Sequence, residues 1–166
     1  MTFFPFIAVI SSPISNPLLN AGVDTLRNII KYCIDHGIHY LSAYTFSSEN
    51  WKRPKNEVSF LMNLLKIMIK KEFKSLHSNG VRVKIVGDKS ELTQDIQNII
   101  DEIETKTEKN QVMQLNLMIN YGSRMEIINA CNSLINEKNA DPSFVIDEDS
   151  FSKNLLTSDS PEPDGP

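Results

Sequence analysis

The sequence predicts an α/β fold in which a parallel sheet has helices on both faces. Short apolar runs typical of buried strands alternate along the chain with longer segments whose apolar residues recur at the helical period. Each predicted strand is separated from the next by a predicted helix, so the connections are crossovers and the strands are parallel. The length of 166 residues fits a single domain. In such sheets ligands bind beyond the carboxyl ends of the strands, so a site is expected in the loops at that edge.

Four short runs predict the strands of this sheet. The first is apolar throughout, as expected of a strand buried on both faces. The third alternates valine or isoleucine with Arg82 and Lys84, which indicates that one of its sides is less buried. The four predicted strands cover residues 6–10, 40–46, 81–86 and 113–120.

Four longer segments predict helices, because their apolar side chains fall on one face when they are spaced three and four residues apart. The longest carries leucine and methionine along its stripe, and Asn79-Gly80 marks its end. Gly37 ends the first helix in the same way, and Thr93 is a predicted N-cap. The predicted helices cover residues 23–35, 55–78, 93–103 (including the cap) and 124–137.

The character of the sequence changes after residue 137. Residues 138–166 are rich in Asp, Ser and Pro, and only one short helix is expected there, at residues 147–156. No internal repeat and no linker between two full domains is present. We therefore expect a single, partial domain over residues 1–166, with a poorly packed end over residues 138–166.

The composition excludes several classes of function. The chain has 17 Lys plus Arg against 21 Asp plus Glu and a formal net charge of -4, whereas a dedicated nucleic-acid binder carries a basic surplus. No apolar run approaches the ~20 residues that a membrane-spanning helix requires. Residues 1–10 are apolar but have no Lys or Arg before them and no cleavage site after them, so no signal peptide is expected. We expect a cytoplasmic protein that binds no nucleic acid.

The cysteines and histidines predict neither a disulfide framework nor a metal site. Cys33 and Cys131 each fall on the apolar stripe of a predicted helix, and we expect both to be buried as small hydrophobic residues. His36, His39 and His77 have no carboxylate or cysteine at a spacing typical of metal ligands. No metal ligand is assigned from these residues.

Polar side chains concentrate directly after the second predicted strand. Residues 47–53 hold two hydroxyls, a carboxylate, an amide, an indole and a guanidinium, and Glu57 follows one turn into the next helix. Hydroxyls and a guanidinium fork suit phosphate oxygens, and an amide beside a carboxylate can orient a proton. Ser, Asn and Pro54 are equally ordinary at the start of a helix. From the residues alone, a phosphate site and a helix-capping loop both remain open.

A family resemblance favours the phosphate site. Residues 43–54, which read AYTFSSENWKRP, resemble the signature of the cis-prenyltransferases, and bacterial undecaprenyl diphosphate synthases are the nearest members. Glu57-Val58 and Leu61-Met62 continue the signature. Further segments that resemble family motifs, in the family's order and spacing, lie at residues 79–83, 85–88, 115–116 and 120–124. The last of them reads Asn-Tyr-Gly-Ser-Arg, with Ser123 in place of a family glycine.

The resemblance implies an activity and a role for each site residue. The family condenses isopentenyl diphosphate with an allylic diphosphate, usually farnesyl diphosphate, and uses Mg2+ to make long-chain Z-polyprenyl diphosphates such as undecaprenyl diphosphate. By resemblance, Asn50 takes part in proton removal from the condensing substrate, and residues 58–76 help to wall the tunnel for the growing chain. The substrate-binding residues implied in the same way are Ser47, Ser48, Glu49, Trp51 and Arg53. The family also implies a homodimer and a peripheral contact with the membrane for product release.

Two segments depart from the family pattern. After the first strand the family has Asp-Gly-Asn-Gly-Arg-Trp-Ala, in which the Asp holds Mg2+ and the loop cradles the allylic diphosphate. Here residues 11–17 read Ser-Ser-Pro-Ile-Ser-Asn-Pro, and Ser12 falls where the Asp is expected; a neutral hydroxyl is a poor Mg2+ ligand beside a carboxylate. Residues 160–164 resemble the approach to a strand that the family follows with Arg-Thr-Ser-Gly-Glu, whereas this sequence continues with Gly165-Pro166.

Three hypotheses follow from the family pattern and its departures. The chain is an active prenyltransferase, a catalytically dead member that acts as a binding or regulatory subunit, or a truncated or decayed gene product that is incomplete at the C-terminus. Because the diphosphate-binding and metal-binding groups of the family are altered together, we expect little or no prenyltransferase activity from the chain as written. Incorporation of isopentenyl diphosphate by the purified chain distinguishes the first hypothesis from the others.

Overall fold

The computed structural model describes the backbone of residues 4–6 and 16–161 and the side chains of residues 22–161. The elements, in chain order, are β1 (Phe4–Phe6), α1 (Asn16–Asp35), β2 (Tyr40–Ser47), a 3-10 helix (Ser48–Lys52), α2 (Lys55–Ser78), β3 (Val81–Val86), α3 (Gln94–Thr107), β4 (Met113–Tyr121), α4 (Ser123–Ala140) and α5 (Glu148–Lys153). None of the described helices combines the length and the apolar character needed to cross a bilayer.

The four described strands form one parallel sheet in the order β1-β2-β4-β3, which confirms the predicted fold class. β4 is central: Leu115 lies opposite Leu41 of β2 and opposite Val83 of β3. β2 and β3 are consecutive strands of the chain but lie on either side of β4, so a helical crossover connects them. Because all the strands are parallel, the carboxyl ends of β2, β3 and β4 meet at one edge of the sheet.

One face of the sheet carries the main hydrophobic core, which α1, α2 and α3 complete. A β-bulge in β2 shapes this face near the edge, because the register with β4 shifts on either side of Phe46. Side chains alternate between the faces of a regular strand, so without the bulge Phe46 and Ala43 would lie on opposite faces. With it, both residues join the core cluster, with 4% and 3% of their surfaces exposed.

The opposite face of the sheet is polar, and the segment that follows α5 contacts it. The buried amides of Gln114 and Asn116 donate hydrogen bonds to the Ser160 hydroxyl at 3.2 and 3.3 Å. The Lys84 ammonium donates to the Leu156 carbonyl oxygen at 3.0 Å. Within the described part of the chain, no buried side-chain nitrogen or oxygen lacks a hydrogen-bond partner. The polar alternation of β3, noted in the sequence, therefore corresponds to a face on which side chains form hydrogen bonds with the segment after α5.

Several predicted boundaries agree with the structure, and α2 and β3 have the predicted bounds. β1 covers Phe4–Phe6, whereas residues 7–10 of the predicted strand and the altered segment up to residue 15 lie outside the described residues. α1 begins at Asn16 rather than at residue 23, because Pro17 suits the first turn of a helix. α5 is shorter than predicted, and Asp147 is its N-cap.

The two cysteines differ in burial. Cys33 is 2% exposed within the core, as predicted, and desolvation raises the pKa of its thiol. Cys131 is exposed, so the prediction that it is buried is wrong. The buried residues of α4 are Glu126, Ala130 and Leu134, spaced four apart. Cys131 is one residue further round the helix from this stripe and therefore points away from the domain.

Candidate active site

The polar segment lies at the carboxyl end of β2 and forms the 3-10 helix. Ser47 is the N-cap of this helix: its hydroxyl accepts a hydrogen bond from the Glu49 N–H at 3.0 Å, and Asn50 Oδ1 accepts one from the Ser47 N–H at 2.9 Å. This reciprocal pair is a capping box. The capping interpretation therefore holds for Ser47 and for the oxygen of Asn50. The cap fixes the plane of the Asn50 amide and does not use its nitrogen.

Arg53 follows the 3-10 helix and forms an ion pair with Glu57 in the first turn of α2. Both side chains are partly buried, with 19% and 25% of their surfaces exposed. The ion pair holds the guanidinium against the start of α2 instead of leaving it to move freely in solvent. A planar guanidinium held in this way suits bidentate binding of phosphate oxygens.

Trp51 connects the polar segment to the ends of two other strands. Its indole N–H donates to Asn120 Oδ1 at 2.7 Å, and its ring packs edge-on against Phe46 with the centroids 5.2 Å apart. Asn120, near the end of β4, is fully buried, and its amide nitrogen donates to the Asp88 carbonyl oxygen at 2.9 Å and to Glu91 Oε2 at 3.0 Å. Sequence reasoning found Asn120 only as part of a family motif and assigned it no place in the site.

Two glycines allow close contacts at this edge of the sheet, Gly122 with a side chain and Gly87 with the backbone. A Cβ atom on Gly122 would lie 2.5 Å from Ser48 Oγ, so the turn between β4 and α4 contacts the polar segment. Gly87, directly after β3, has a φ of 141°, and a Cβ atom there would lie 1.9 Å from the Ile119 carbonyl oxygen. Gly87 therefore admits no other residue without a shift of the backbone.

A series of hydrogen bonds connects β2 to the segment after α5. The Tyr44 hydroxyl donates to the Tyr121 carbonyl oxygen at 2.9 Å, and the Tyr121 hydroxyl donates to Glu126 Oε2 at 2.6 Å. The other oxygen of the Glu126 carboxylate accepts a hydrogen bond from the Leu156 N–H at 2.9 Å. Glu126 lies in the first turn of α4, where the helix dipole favours a negative charge. This buried carboxylate thus connects the edge that carries the polar segment to the chain covering the second face.

Tyr121 is expected to ionise at a higher pH than an ordinary tyrosine. Burial, followed by the hydrogen bond to Glu126, raises the pKa of its phenol above the ordinary value of about 10. The contribution of this phenol to the free energy of unfolding is therefore fully present below about pH 10 and is lost as the pH rises further, because the phenol of the unfolded chain loses its proton first.

In an ultraviolet absorbance titration, we expect Tyr121→Phe to remove a phenol that ionises at unusually high pH. We also expect the free energy of unfolding of this variant to fall less steeply with pH in the alkaline range. Exposed Tyr32 provides the control: Tyr32→Phe should leave the late ionisation in place, and a late ionisation that survives Tyr121→Phe would contradict the assignment.

An apolar cavity of about 430 Å³ lies between α1, α2 and the first face of the sheet. Residues 44–46 line it immediately before the polar segment begins, so the cavity reaches the edge of the sheet that carries that segment. Along α1 the lining extends from Gly22 to Asp35, which is roughly 20 Å at a rise of 1.5 Å per residue. The apolar lining residues of α2 include Leu61, Leu65, Met68, Ile69, Phe73 and Leu76. The apolar stripe that the resemblance implies as a tunnel wall is the stripe that lines this cavity.

An ion pair ties the two helical walls of the cavity together. Arg27 of α1 donates from Nη2 and Nε to the two carboxylate oxygens of Glu72 on α2, at 2.6 and 3.0 Å. Both residues line the cavity. The hydrogen bond and charge of Glu72 raise the pKa of Arg27, and the Arg27 hydrogen bond lowers the pKa of Glu72. The pair is therefore charged at neutral pH and restrains the separation of α1 and α2.

The described part of the chain contains no preformed cluster of metal-ligating side chains, although Mg2+ is commonly held by only one or two carboxylates together with substrate phosphates. Among residues 22–161, no three His, Cys, Asp or Glu side chains are grouped so that they could hold a metal ion. The position where the resemblance implies a carboxylate ligand is Ser12, which lies outside the described residues and carries a hydroxyl. The chemical steps proposed below therefore involve only protein groups and substrate.

Comparison with known proteins establishes the family. A family model described as "Putative undecaprenyl diphosphate synthase" matches residues 17–164. The chain belongs to the cis-prenyltransferase family. The isoprenyl transferase of Brucella suis is 44% identical over 147 residues, which make up 87% of this chain and 58% of that protein. The isoprenyl transferase of Clostridium perfringens is 42% identical over 146 residues, with 87% and 58% covered. The chain thus spans little more than half the length of these relatives.

Two solved structures share the fold. A probable undecaprenyl diphosphate synthase from Campylobacter jejuni superposes with a TM-score of 0.74 at 34% identity, covering 82% of this chain and 64% of that one. Lavandulyl diphosphate synthase from Lavandula x intermedia, solved in complex with dimethylallyl diphosphate, superposes with a TM-score of 0.79 at 29% identity, covering 86% and 62%. The family resemblance inferred from the motifs is confirmed.

The six site residues carried over from the family share one short segment but face different partners. Ser47 and Asn50 cap the 3-10 helix, Trp51 is directed to Asn120, and Arg53 is directed to Glu57. The remaining two, Ser48 beside the turn after β4 and the exposed Glu49, complete the segment. The contribution of each residue to substrate binding or catalysis stays a prediction.

Proposed function

We propose that this chain binds an isoprenoid diphosphate, with the diphosphate on residues 47–53 and the hydrocarbon in the cavity between α1 and α2. The observation that supports the proposal is that an apolar surface and a polar surface adjoin each other. Residues 44–46 line the apolar cavity, and the residues that follow carry hydroxyl, amide and guanidinium groups. An amphipathic ligand suits this arrangement. Its phosphates find hydrogen-bond donors, while each buried methylene group of its chain contributes about 0.8 kcal/mol.

We infer that the bound substrates undergo the family's condensation of isopentenyl diphosphate with an allylic diphosphate such as farnesyl diphosphate, giving a long-chain Z-polyprenyl diphosphate. The allylic C–O bond breaks and diphosphate leaves, the allylic carbon bonds to the terminal alkene carbon of isopentenyl diphosphate, and that substrate loses a proton. The relatives named isoprenyl transferase support this class of reaction. The dimethylallyl diphosphate in the lavandulyl diphosphate synthase complex supports an allylic diphosphate as substrate.

The position of each residue suggests its role in this scheme. Arg53, oriented by Glu57, and the Ser48 hydroxyl donate to the phosphate oxygens. Asn50 has its oxygen held by the cap, so its amide nitrogen is oriented to donate to the phosphate that accepts the proton from the condensing substrate. The site needs such fixed donors because charge develops on the leaving diphosphate.

A second candidate function is binding without turnover, as a binding or regulatory subunit. The observation that favours it is the sequence of residues 11–17, which has hydroxyls and prolines where the family has an acidic, glycine-rich loop. The donors at residues 47–53 and the cavity lining described above belong to other parts of the chain. A chain altered in this way would retain affinity for the ligand while it loses the groups that stabilise the transition state.

The binding proposal is tested by isothermal calorimetry with farnesyl diphosphate, inorganic diphosphate and farnesol. We expect farnesyl diphosphate to bind most tightly, because it uses both surfaces. Arg53→Met should weaken binding of both diphosphates by roughly 10- to 100-fold, since a hydrogen bond to a charged group is worth about 1.5–3 kcal/mol. The same variant should bind farnesol as the wild type does.

A matched control is Arg82→Met, which removes a partly exposed arginine from β3, away from the polar segment. It should leave all three affinities unchanged. Equal loss of affinity in the two variants would indicate a general effect of net charge and would refute the assignment of Arg53. Farnesol binding as tightly as farnesyl diphosphate would refute a diphosphate site on residues 47–53.

We also propose a cytoplasmic place of action with release of product at the membrane surface. A long polyprenyl chain is too apolar to remain in water, because the cost of its exposure grows with each methylene group. A homodimer, implied by the family, is part of the same proposal.

A further inference from the structure

Asn120 combines three structural features at the carboxyl edge of the sheet. It is fully buried, its backbone has a positive φ of 52°, and its amide forms hydrogen bonds with three separate partners. A positive φ is uncommon outside glycine, although asparagine adopts it more readily than most residues. This backbone conformation turns the end of β4 so that the Asn120 amide lies between the loop after β2 and the loop after β3.

We propose that Asn120 is a positioning residue: its buried amide holds the indole of Trp51 and thereby orients Asn50 and Arg53 toward the diphosphate. This inference rests on the proposed function and deepens it. Trp51 is the residue between Asn50 and Arg53 that is anchored to the sheet through its side chain. When the indole is held at 2.7 Å from Asn120, the 3-10 helix that carries Asn50 is held as well.

The direction of the hydrogen bonds supports this role. Asn120 Oδ1 accepts from the indole N–H, and its amide nitrogen donates to the Asp88 carbonyl oxygen and to Glu91. The Asp88 N–H in turn donates to the Asn120 carbonyl oxygen at 3.2 Å. The two acceptors, on Asp88 and Glu91, fix the position of the Asn120 amide nitrogen. The amide oxygen of Asn120 therefore faces Trp51. A site ordered before the ligand arrives avoids an entropic cost of binding.

Trp51 is the single tryptophan of the chain, so intrinsic fluorescence reports on this one contact. Asn120→Gly keeps the positive φ accessible and removes the amide. We expect its Trp51 emission to move to longer wavelength and to be quenched more strongly by acrylamide. Affinity for isopentenyl diphosphate, measured by calorimetry, should fall by about tenfold, the equivalent of one hydrogen bond.

Asn116 provides a matched control on the same strand. It is buried to a similar degree, and its amide bonds to Ser42 and Ser160 on the second face of the sheet. Asn116→Ala should lower the melting temperature, as Asn120→Gly does, but should leave Trp51 emission and isopentenyl diphosphate affinity at the wild-type values. A purely structural role for Asn120 predicts instead that the two variants change isopentenyl diphosphate affinity to the same extent, whatever happens to the Trp51 emission.

A double-mutant cycle tests whether Asn120 acts through Trp51. Trp51→Phe retains an aromatic ring beside Phe46 and removes the N–H donor. We expect Asn120→Gly to weaken isopentenyl diphosphate binding in the wild-type background and to have no further effect in the Trp51→Phe background, because the two changes break the same contact. Additive losses of affinity would overturn the proposal.

A second pair of variants covers the case in which Asn120→Gly does not fold. Asn120→Asp places a carboxylate against Glu91 and should loosen Trp51 through repulsion, whereas Asn120→Asp combined with Glu91→Gln restores a donor and should bring the Trp51 emission back toward the wild-type value. Emission that is unchanged in Asn120→Asp, or that is not restored in the double variant, would overturn the proposal. If the wild type binds neither farnesyl diphosphate nor isopentenyl diphosphate, the proposed function is wrong, while the fluorescence comparisons still decide whether Asn120 holds Trp51.

Discussion

Turnover of isopentenyl diphosphate by this chain is expected to be about 10²–10³-fold lower than turnover by the Brucella suis relative, because removing one donor from a preorganised charge-stabilising site has effects of this size. The altered segment, residues 11–17, lacks the acidic residue and the glycine-rich loop that the family places against the allylic diphosphate. The effects of removing several groups from one site are not additive, so the expected decrease in turnover is the decrease for the loss of one group. Incorporation of radiolabelled isopentenyl diphosphate with farnesyl diphosphate and Mg2+ measures the rate.

Two variants make this prediction specific. Ser12→Asp returns a carboxylate to the position where the family has one and is expected to raise the rate. Asn50→Ala is expected to abolish the remaining incorporation. Wild-type turnover close to that of the relative, abolished by Asn50→Ala, would show that the altered segment is dispensable. Incorporation that is insensitive to Asn50→Ala would show that the activity does not come from the proposed site.

Filling the cavity is expected to weaken binding of farnesyl diphosphate by about 50-fold. Ala43 is 3% exposed and lines the cavity, so Ala43→Phe places a ring in the space assigned to the hydrocarbon. Displacing about three methylene groups, at ~0.8 kcal/mol each, corresponds to a loss of this size. Inorganic diphosphate should bind the variant as it binds the wild type, because residues 47–53 are unchanged.

The matched control introduces the same side chain on the surface. Ile127 of α4 is 48% exposed and is not among the residues that line the cavity, so Ile127→Phe should leave both affinities unchanged. Calorimetric titrations of the three proteins with farnesyl diphosphate and inorganic diphosphate give the comparison. Undiminished farnesyl diphosphate binding by Ala43→Phe would show that the cavity is ordinary core space and not a hydrocarbon site.

Elements with strong local signals could be predicted closely from the sequence. α2 has the predicted bounds because its apolar period is unbroken and Asn79-Gly80 ends it, with Gly80 at a φ of 70°. The sequence predicts too late a start for α1 because the first turns of this helix show no clear apolar period, although Pro17 is a start signal. It wrongly predicts that Cys131 is buried because α4 has apolar side chains on more than one face, so that its period does not identify the face that packs.

Local order and family were determined by the sequence itself. The alternation of strand and helix depends on residues a few positions apart, and the motif at residues 43–54 identified the family and the segment that carries the site. The order β1-β2-β4-β3 and the cavity were decided only by the tertiary structure, because they depend on which faces pack together. The same is true of the contact between Trp51 and Asn120, which are 69 positions apart. Sequence spacing carries no information about a hydrogen bond across that distance until β2 and β4 pair and bring the two residues to one edge of the sheet.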